Sequence, residues 1–505
     1  MVKCYKGSHS GEHGDGIVRS EFHEMMFGER MIQNFKEVKN HFDSNSLFNP
    51  GKIVDPPKMD DRTLFRYGPD YHVKNFKTHF DWSQWTGSSG GFQGAVEMCN
   101  NNGACRKIKG GVMCPSYRVT RDERDVTRGR ANSLRLAISG QLGEGAFTSD
   151  EMMKTMKLCV SCKGCKRECP TGVDMARMKI EVTAARAKEH GLSLHDKLVG
   201  YLPHYAPIAS RLSQLMNLRD KIPGVAGLLE NMTGFTAKRK LPKWHHKAFR
   251  DEEVVTTDTP QAVLFADTFN RYFEPENLRA TMKVLEAGNI AFDIARPISG
   301  KRPLCCGRTL LSVGRIEAAR KEAKRLIEAL LPYAKKGVPI IGLEPSCLLS
   351  LRDELPALLP GEDTELVAQY AKMLEEFIAE ESDAGTFKLD FEKIPQKIML
   401  HGHCHQKAMD VVSSIQKTLS LLPETDVELV ETSCCGMAGS FGYAKETHDI
   451  SMQMGELDLL PAVRKAANDT IVVADGTSCR HQIVDGTGRN AIHVARVLEM
   501  ALKRG

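Results

Sequence analysis

The chain has 505 residues, of which 41% are hydrophobic and 26% charged. Domains average about 150 residues, so this length favours several domains over one. Lys and Arg total 69 against 64 Asp and Glu, and this small excess excludes a strongly basic nucleic-acid-binding surface and an acidic tail. No run of about 18 apolar residues occurs, and the start MVKCYKGSHSGEHG lacks the apolar core of a signal peptide. We therefore expect a cytoplasmic protein, with peripheral docking at the inner membrane left open.

In chain order, the pattern predicts six segments. Residues 1–58 run from a Gly-rich opening through a helical stretch at 21–43 to the turn NPGKIV at 49–54. Residues 59–93 form a linker without sustained periodicity, and residues 94–200 form a cysteine-rich region whose spacers have helical spacing. Residues 201–258 are a basic, Pro-punctuated connector. The last two segments, 259–385 and 386–505, alternate short apolar runs with amphipathic helices.

The last two segments predict a duplicated α/β unit. The runs AVLFAD, VPIIGLEP, QKIMLHGH, DVELVET and TIVVADG have the composition of buried strands. Strands that alternate with helices indicate parallel α/β layers. A Cys-Cys-Gly motif at 305–307 recurs at 434–436, and a later Cys347 recurs as Cys479. Two copies offset by about 130 residues indicate duplication rather than a solenoid.

The fifteen cysteines are clustered along the chain. Apart from Cys4, seven lie between 99 and 169 and seven between 305 and 479. They are too few and too unevenly placed for a secreted disulfide scaffold, so metal or redox ligation explains the clustering better.

Residues 159–170 contain the spacing CxxCxxCxxxCP, which is that of bacterial ferredoxin-type iron–sulfur ligands. Thiolates two residues apart wrap around one cubic cluster, and the Pro after the fourth cysteine ends the turn. A zinc ribbon needs two CxxC pairs separated by a longer spacer. We therefore predict a [4Fe-4S] cluster and the ligand candidates Cys159, Cys162, Cys165 and Cys169.

Residues 99–115, CNNNGACRKIKGGVMCP, form an incomplete version of this motif, with Asn102 at the second ligand position. If the fourth cysteines are exchanged between motifs, as in two-cluster ferredoxins, one [4Fe-4S] cluster is bound by Cys114, Cys159, Cys162 and Cys165. The other site then offers Cys99, Cys105 and Cys169. It holds a three-iron cluster, a cube with one non-cysteine ligand, or no cluster. Five nearby basic residues offset the negative charge of a cluster or are solvated surface groups: Arg106, Lys107, Lys163, Lys166 and Arg167.

Each Cys-Cys-Gly motif follows a strand, and a helix N-terminus nearby would favour thiolate. The later copy offers four thiols, Cys404, Cys434, Cys435 and Cys479, beside His403 and His405. The earlier copy offers Cys305, Cys306 and Cys347, with Asp267 or Thr268 at the place that matches Cys404. This region resembles the cysteine-rich CCG domain of heterodisulfide reductase subunits and of iron–sulfur subunits of glycolate and glycerol-3-phosphate dehydrogenases. These thiols hold a metal or cluster, or remain metal-free.

The N-terminal motifs SGEHGDGIVRSEF and NPGKIV resemble the C-terminal part of FAD-linked oxidases of the vanillyl-alcohol oxidase type. The resemblance implies that Glu12 helps to hold an active-site metal or substrate and that His13 lies at the flavin as a candidate base. It also places the turn of Asn49, Gly51 and Lys52 at the flavin. Oxidation of a 2-hydroxy acid needs such a base beside a hydride acceptor.

The whole order of motifs resembles the distal half of long bacterial flavin and iron–sulfur D-2-hydroxyglutarate dehydrogenases. We therefore predict an α+β and α/β multidomain protein with a partial FAD-oxidase substrate domain, a helical ferredoxin-type domain and a duplicated α/β CCG domain. Only ten residues precede GEHGDG, so the chain is expected to be a fragment or one product of a split gene, with the FAD pocket mostly outside it.

The resemblance implies oxidation of D-2-hydroxyglutarate to the 2-oxo acid, with electrons passing through [4Fe-4S] to a quinone or carrier. A divalent metal at the substrate site, a partner segment carrying the FAD domain and a homo-oligomer are further expectations. The alternatives are a D-lactate or glycolate dehydrogenase, a non-catalytic iron–sulfur subunit, and a thiol-based zinc or redox-regulatory protein.

Overall fold

A computed structural model describes residues 1–65, 67–69, 71, 77–85 and 90–503. The chain divides into two compact units, residues 1–73 and 74–505. Part of the predicted linker 59–93 lies outside the described residues. Across the described residues, every helix is too short or too polar to cross a bilayer.

The first unit has two helices, α1 (His23–Phe27) and α2 (Glu29–Phe42). The sequence pattern predicted one helix over 21–43, but Gly28 interrupts it with φ of 83°. Glycine reaches this region without the steric cost that a Cβ imposes. The chain therefore turns between α1 and α2.

The cysteine-rich region is helical, as predicted. Glu181 on its last helix accepts hydrogen bonds from the backbone N–H of Phe80 (2.9 Å) and from Trp82 Nε1 (3.1 Å), which anchors the end of the linker. The helices are α3 (Gly91–Glu97), α4 (Pro115–Thr120), α5 (Thr127–Ile138), α6 (Asp150–Lys157), α7 (Gly164–Glu168) and α8 (Met175–His190).

The connector is also helical over much of its length, which its Pro-rich sequence did not reveal. Proline is tolerated in the first turn of a helix, and Pro203 occupies that place in the second helix of this segment. Its basic stretch 238–247 is only partly solvated, because Arg239 and Trp244 are buried. The helices are α9 (Leu194–Gly200), α10 (Leu202–Arg211), α11 (Ser213–Met216) and α12 (Val225–Thr233).

Two four-stranded parallel sheets follow, and their strand orders are identical. The first is β2-β1-β3-β4 and the second is β6-β5-β7-β8. This repetition confirms the predicted duplication. The strands are β1 (Ala262–Leu264), β2 (Phe292–Ile294), β3 (Ile340–Gly342), β4 (Ala371–Met373), β5 (Ile398–Leu400), β6 (Val427–Leu429), β7 (Ile471–Val473) and β8 (Ala491–Ile492).

All five predicted strands are present, although β6 is only partly buried. The strands that were not predicted are β2, β4 and β8, which have two or three residues each. The helices of the first copy are α13 (Thr268–Tyr272), α14 (Pro275–Ala287), α15 (Arg308–Ser312), α16 (Ile316–Ala334), α17 (Pro345–Leu348), α18 (Glu354–Leu358), α19 (Glu362–Tyr370) and α20 (Leu374–Asp383). Those of the second are α21 (Cys404–Ala408), α22 (Val412–Leu419), α23 (His448–Glu456), α24 (Leu459–Lys465), α25 (Thr477–Thr487) and α26 (Val494–Met500).

The two copies share one apolar core. Helix α14 of the first copy packs on α26 of the second, and α20 packs on α22. At the junction, the carboxylate of Glu344 accepts a hydrogen bond from Thr477 N (2.9 Å), and His493 Nε2 lies 3.1 Å from the carbonyl of Leu343. Helices α14, α20, α22 and α26 thus hold both copies in one body.

Candidate iron–sulfur and thiol centres

Four cysteine side chains from two separate segments line one small cavity. Cys114 comes from the start of α4, and the other three come from the loop before α7 and from its first turn. The cavity is lined by Cys114, Cys159, Cys162 and Cys165, together with Thr127, Arg130 and Met175. This is the set expected if the fourth cysteines are exchanged, and its four sulfur donors around one space fit a cubic [4Fe-4S] cluster.

The backbone at the cavity adopts left-handed conformations that non-glycine residues rarely use. Cys114, Ser161 and Lys163 have φ of 51°, 50° and 61°. Such conformations cost about 1–3 kcal/mol each and cluster at functional sites. Thr127 donates its backbone N–H to Cys114 Sγ at 3.2 Å, and hydrogen bonds to a ligand sulfur tune a cluster's potential. The strained backbone and the hydrogen bond to a cysteine sulfur therefore indicate a functional site and not a packing defect.

The cavity is buried, and its electrostatics oppose free thiolates. Burial raises the pKa of Cys162 and Cys165 well above the ordinary thiol value, and neighbouring cysteines add to this effect. For Cys114, burial also raises the pKa, whereas the charge of Arg130 lowers it. Arg130 is 1% exposed. The metal-free thiols of Cys114, Cys162 and Cys165 are therefore protonated, and iron binding would release their protons.

The basic residues near the motif are mostly paired with carboxylates. Lys163 is 2% exposed, and its Nζ lies 2.7 Å from Asp353 and 2.6 Å from Glu354 of the first CCG copy. Lys166 also pairs with Asp353, and Arg167 pairs with Asp410 at 2.8 Å. Arg106 pairs with Glu123, and Lys107 is exposed. The positive charge available to a cluster is thus smaller than the sequence suggested.

One residue that sequence reasoning missed joins the two cysteine motifs. The carboxylate of Glu168 accepts backbone hydrogen bonds from Val112 (2.6 Å) and Met113 (3.2 Å), just before Cys114. Its position inside the motif, beside the fourth cysteine, was the only available signal.

The remaining cysteines of this region, Cys99, Cys105 and Cys169, do not line this cavity. Burial raises the pKa of Cys105 to about 11, and the neighbouring Cys114 and Cys99 contribute to the shift. The Sγ of Cys169 lies 3.4 Å from Thr171 Oγ1. Asn102 is exposed and makes hydrogen bonds only with its own turn, including one from Ala104 N at 2.8 Å.

The four thiols of the second CCG copy form a connected, buried group: Cys404, Cys434, Cys435 and Cys479. A hydrogen bond from Cys434 lowers the pKa of Cys404 to about 6 against the effect of burial, and the charges of His403 and Lys407 contribute. Hydrogen bonds from Cys434 and Cys479, with a further contribution from His401, hold the pKa of Cys435 well below its ordinary value. Two of the four sulfurs are therefore thiolates at neutral pH. His401 and Lys407 were missed in the sequence because no spacing marks them.

In the first CCG copy the pKa values of the thiols are raised instead of lowered. Its three thiols, Cys305, Cys306 and Cys347, are also buried. Despite a hydrogen bond from Cys306, burial and the carboxylates of Asp267 and Glu344 raise the pKa of Cys347 to about 12. The expectation of thiolate character is thus wrong for this copy. Asp267 caps α13 as His403 caps α21, so Thr268 is the residue at the place of Cys404.

The glycine of each Cys-Cys-Gly motif has a left-handed backbone and no room for a side chain. Gly436 has φ of 88°, and a Cβ there would lie 2.3 Å from the carbonyl oxygen of Ser451. Gly307 has φ of 78°, and a Cβ there would lie 3.0 Å from the carbonyl oxygen of Ala319. In both motifs the glycine N–H points to the first cysteine sulfur, at 3.4 Å for Cys434 and 3.3 Å for Cys305.

The second CCG copy adjoins the four-cysteine cavity. Cys162 and Cys404 belong to one apolar cluster, and Cys404 contributes to the raised pKa of Cys162. His405 Nε2 lies 3.0 Å from the carbonyl of Ser161 in the cavity loop. The cavity therefore lies next to the copy that favours thiolates.

The expected flavin-side residues lie in the first unit. The side chains of Glu12 and His13 are 87% and 83% exposed and lie 3.5 Å apart. Lys52 Nζ donates to Asn49 Oδ1 at 3.2 Å, and Gly51 has φ of 71° in the same exposed turn. Within the described part of this unit, no metal-binding group includes Glu12 or His13.

Three protein-family models match the chain in the predicted order. Residues 1–53 match the FAD linked oxidases C-terminal domain, residues 95–173 match a 4Fe-4S dicluster domain, and residues 266–352 and 398–484 each match a cysteine-rich domain. The chain combines an FAD-linked oxidase segment with iron–sulfur and CCG domains. This composition confirms the predicted domain types and the cofactors [4Fe-4S] and FAD.

Relatives extend the similarity over nearly the whole chain. The chain is 24% identical to D-2-hydroxyglutarate dehydrogenase of Escherichia coli, over 97% of the chain and 51% of that protein. It is 26% identical to the Pseudomonas putida protein of the same name, over 99% of the chain and 52% of the relative. Identity to a subunit of the anaerobic glycerol-3-phosphate dehydrogenase of Escherichia coli is 26%, over 65% of the chain and 81% of the relative. The chain thus spans about half the length of the D-2-hydroxyglutarate dehydrogenases it resembles.

Proposed function

We propose that the chain is the electron-transfer half of an FAD-dependent D-2-hydroxy-acid dehydrogenase that oxidises D-2-hydroxyglutarate to 2-oxoglutarate and delivers electrons to a quinone or carrier. The observation that carries this proposal is the cavity lined by four cysteines beside the thiolate-favouring CCG copy. The N-terminal match to FAD-linked oxidases and the two D-2-hydroxyglutarate dehydrogenases support the substrate class.

In this proposal Cys114, Cys159, Cys162 and Cys165 hold the [4Fe-4S] cluster. When bound, the cluster supplies one-electron transfer, and FAD supplies hydride acceptance from the substrate. The chain itself would bind the cluster and stabilise its charge. Thr127 donates its backbone N–H to the sulfur of Cys114 (3.2 Å), and buried Arg130 offsets the negative charge of that thiolate.

The second CCG copy provides the next site on this route. Cys162 adjoins Cys404, and Lys407 and His403 favour the thiolate of Cys404. Electrons leaving the cavity therefore reach a buried sulfur group whose thiolate charge Lys407 and His403 partly offset. We propose that this group, rather than the first copy, binds a metal or cluster. Glu12 and His13 would act at the substrate once the FAD-bearing segment completes their site.

A second candidate is a non-catalytic iron–sulfur subunit. The observation that favours it is the similarity to the anaerobic glycerol-3-phosphate dehydrogenase relative, which extends over 81% of that protein. The match of residues 1–53 to an FAD-linked oxidase domain favours the first candidate, because a purely electron-transferring protein has no use for Glu12 and the flavin-side turn.

Anaerobic purification with quantification of iron, sulfide, zinc and flavin tests the electron-transfer role. We expect about four irons per chain for one cubic cluster, and an EPR signal that appears on reduction and disappears when a quinone is added. Zinc in place of iron after reconstitution would contradict the proposal and support a zinc or thiol protein.

The substrate is tested separately, with the chain supplied with its FAD-bearing segment. Dye reduction should be faster with D-2-hydroxyglutarate than with D-lactate or glycolate, and Glu12→Gln should abolish it while the iron content stays unchanged. Faster dye reduction with D-lactate or glycolate would show that one of these acids is the substrate, and it would leave the electron-transfer role intact. Activity that is unchanged in Glu12→Gln would contradict the role of the N-terminal loop.

A further inference from the structure

Three metal-binding side chains converge in the first unit. They are His9, Asp15 and His23, and one ligand atom from each lies within 4.8 Å of the others. His9 precedes the Gly-rich loop, Asp15 ends it, and His23 is the first residue of α1. The convergence therefore joins the two ends of the loop that carries Glu12 and His13 to a helix.

The contacts leave three buried atoms of this group without a hydrogen bond among the described residues: His9 Nε2, Asp15 Oδ1 and His23 Nδ1. His23 Nε2 lies 2.7 Å from Asp15 Oδ2, a hydrogen-bond distance. His9 Nε2 lies 3.8 Å from Asp15 Oδ1, which is too long for a hydrogen bond. The His9 side chain is 10% exposed, and its Nε2 is buried with no hydrogen-bond partner among the described residues. Buried polar atoms in folded proteins are almost always satisfied, so this nitrogen indicates a missing ligand.

The surroundings suit a metal better than a simple hydrogen-bonded pair. The rings of His9 and His23 lie 5.3 Å apart at 88°, in a T-shaped rather than a stacked arrangement. Phe27 packs against both imidazoles, with ring centroids at 5.8 and 5.5 Å. Phe27 is itself half-exposed, so it supplies one apolar wall of the group rather than a closed shell. The His23 side chain is 4% exposed, so the group is a built site and not a surface coincidence.

We propose that His9, Asp15 and His23 bind a divalent transition metal of the zinc class. Two imidazoles and one carboxylate form a common set for such ions, which keep a further position for water. The site is distinct from Glu12 and His13, which lie in solvent. The metal would tie the ends of the Gly-rich loop to α1 and so fix the position of the loop. This inference does not depend on the proposed function.

Zinc K-edge X-ray absorption on the full chain, loaded with iron and sulfide and then titrated with Zn²⁺ to saturation, tests the site. The zinc edge does not overlap with that of iron, and sulfur at about 2.3 Å reports zinc on thiols that iron left free. We expect nitrogen and oxygen scatterers at about 2.0–2.1 Å in addition to any sulfur. A spectrum at saturation without these nitrogen and oxygen scatterers, or no bound zinc, would overturn the proposal.

Variants then assign the ligands. His9→Ala and Asp15→Asn should each weaken Zn²⁺ binding by at least about a hundredfold, since even outer-shell changes cost 10–100-fold. Asp15→Asn keeps the size of the side chain, so circular dichroism should show unchanged helix content. The matched control is His41→Ala, an exposed histidine on α2, which should retain wild-type affinity. Equal affinity in all three variants would contradict the assignment.

Discussion

The ion pair between Glu274 and Arg480 gives a quantitative prediction for how the two CCG copies are held together. Burial would raise the pKa of Glu274, but the charge and hydrogen bonds of Arg480 hold it at about 2. The Glu274 carboxylate accepts a hydrogen bond from Arg480 Nε at 2.8 Å and from Thr477 Oγ1 at 2.8 Å. Its side chain is 17% exposed and that of Arg480 is 4% exposed, so solvent screens the pair little.

Glu274→Gln should lower the free energy of unfolding by about 3 kcal/mol at pH 7. The shift from 4.5 to about 2 corresponds to roughly 2.5 pKa units at 1.36 kcal/mol each. Because the folded-state pKa is lowered, this stabilisation is complete above about pH 5 and is lost as pH falls from 4.5 towards 2. At pH 3.5 the difference between wild type and variant should have shrunk to about 2 kcal/mol.

Urea unfolding followed by circular dichroism at several pH values measures this difference. The matched control is Glu276→Gln, two residues along on α14 and exposed, which should change stability by less than about 0.5 kcal/mol. A Glu274→Gln effect that is the same at pH 7 and pH 3.5, or below 1 kcal/mol at pH 7, would refute the reasoning.

Three further predictions concern the buried charges, the thiolate and the motif glycines. Lys163→Met should destabilise the chain by about 1.5–3 kcal/mol in urea unfolding, since two buried carboxylates lose a shared cation while Asp353 keeps Lys166 and Arg177 and Glu354 keeps Arg308; Lys107→Met is the exposed control, and equal effects would contradict the pairing. In the metal-free chain, alkylation of Cys404 by iodoacetamide, followed by mass spectrometry, should rise with pH and level off above about pH 7, since its pKa is about 6. A rate that keeps rising to pH 9 would contradict the thiolate. Gly436→Ala should lower the melting temperature more than Gly307→Ala, because its Cβ meets a carbonyl oxygen at 2.3 Å rather than 3.0 Å; similar shifts in the two variants would argue against this steric account.

The parts of the fold that could be predicted are those with local signals. Cysteine spacing, apolar runs and helical periodicity act over a few residues, so the duplicated α/β unit and α8 followed from the sequence. In β2 and β4 a charged residue, Asp293 or Lys372, interrupts the apolar run, and β8 has two residues, so no strand pattern marks them. Their existence depends on pairing with β1, β3 and β7.

The residues that surround the candidate site are brought there by long-range contacts, which no local sequence pattern encodes. Lys163 looked like a surface charge, but its partner Asp353 lies nearly 200 residues further along the chain. The opposite electrostatics of the two CCG copies come from single residues, such as Asp267 where the other copy has His403. Similar motifs therefore acquire different chemistry from their neighbours.

The most direct test of the account is the iron and sulfide content of Cys114→Ser, with its EPR spectrum after reduction. Cys114 comes from the incomplete motif but lines the same cavity as Cys159, Cys162 and Cys165. The account predicts that Cys114→Ser loses or alters the [4Fe-4S] signal, whereas Cys4→Ser, at an exposed isolated cysteine, retains it. A wild-type signal in Cys114→Ser together with its loss in Cys169→Ser would contradict the exchanged ligand set.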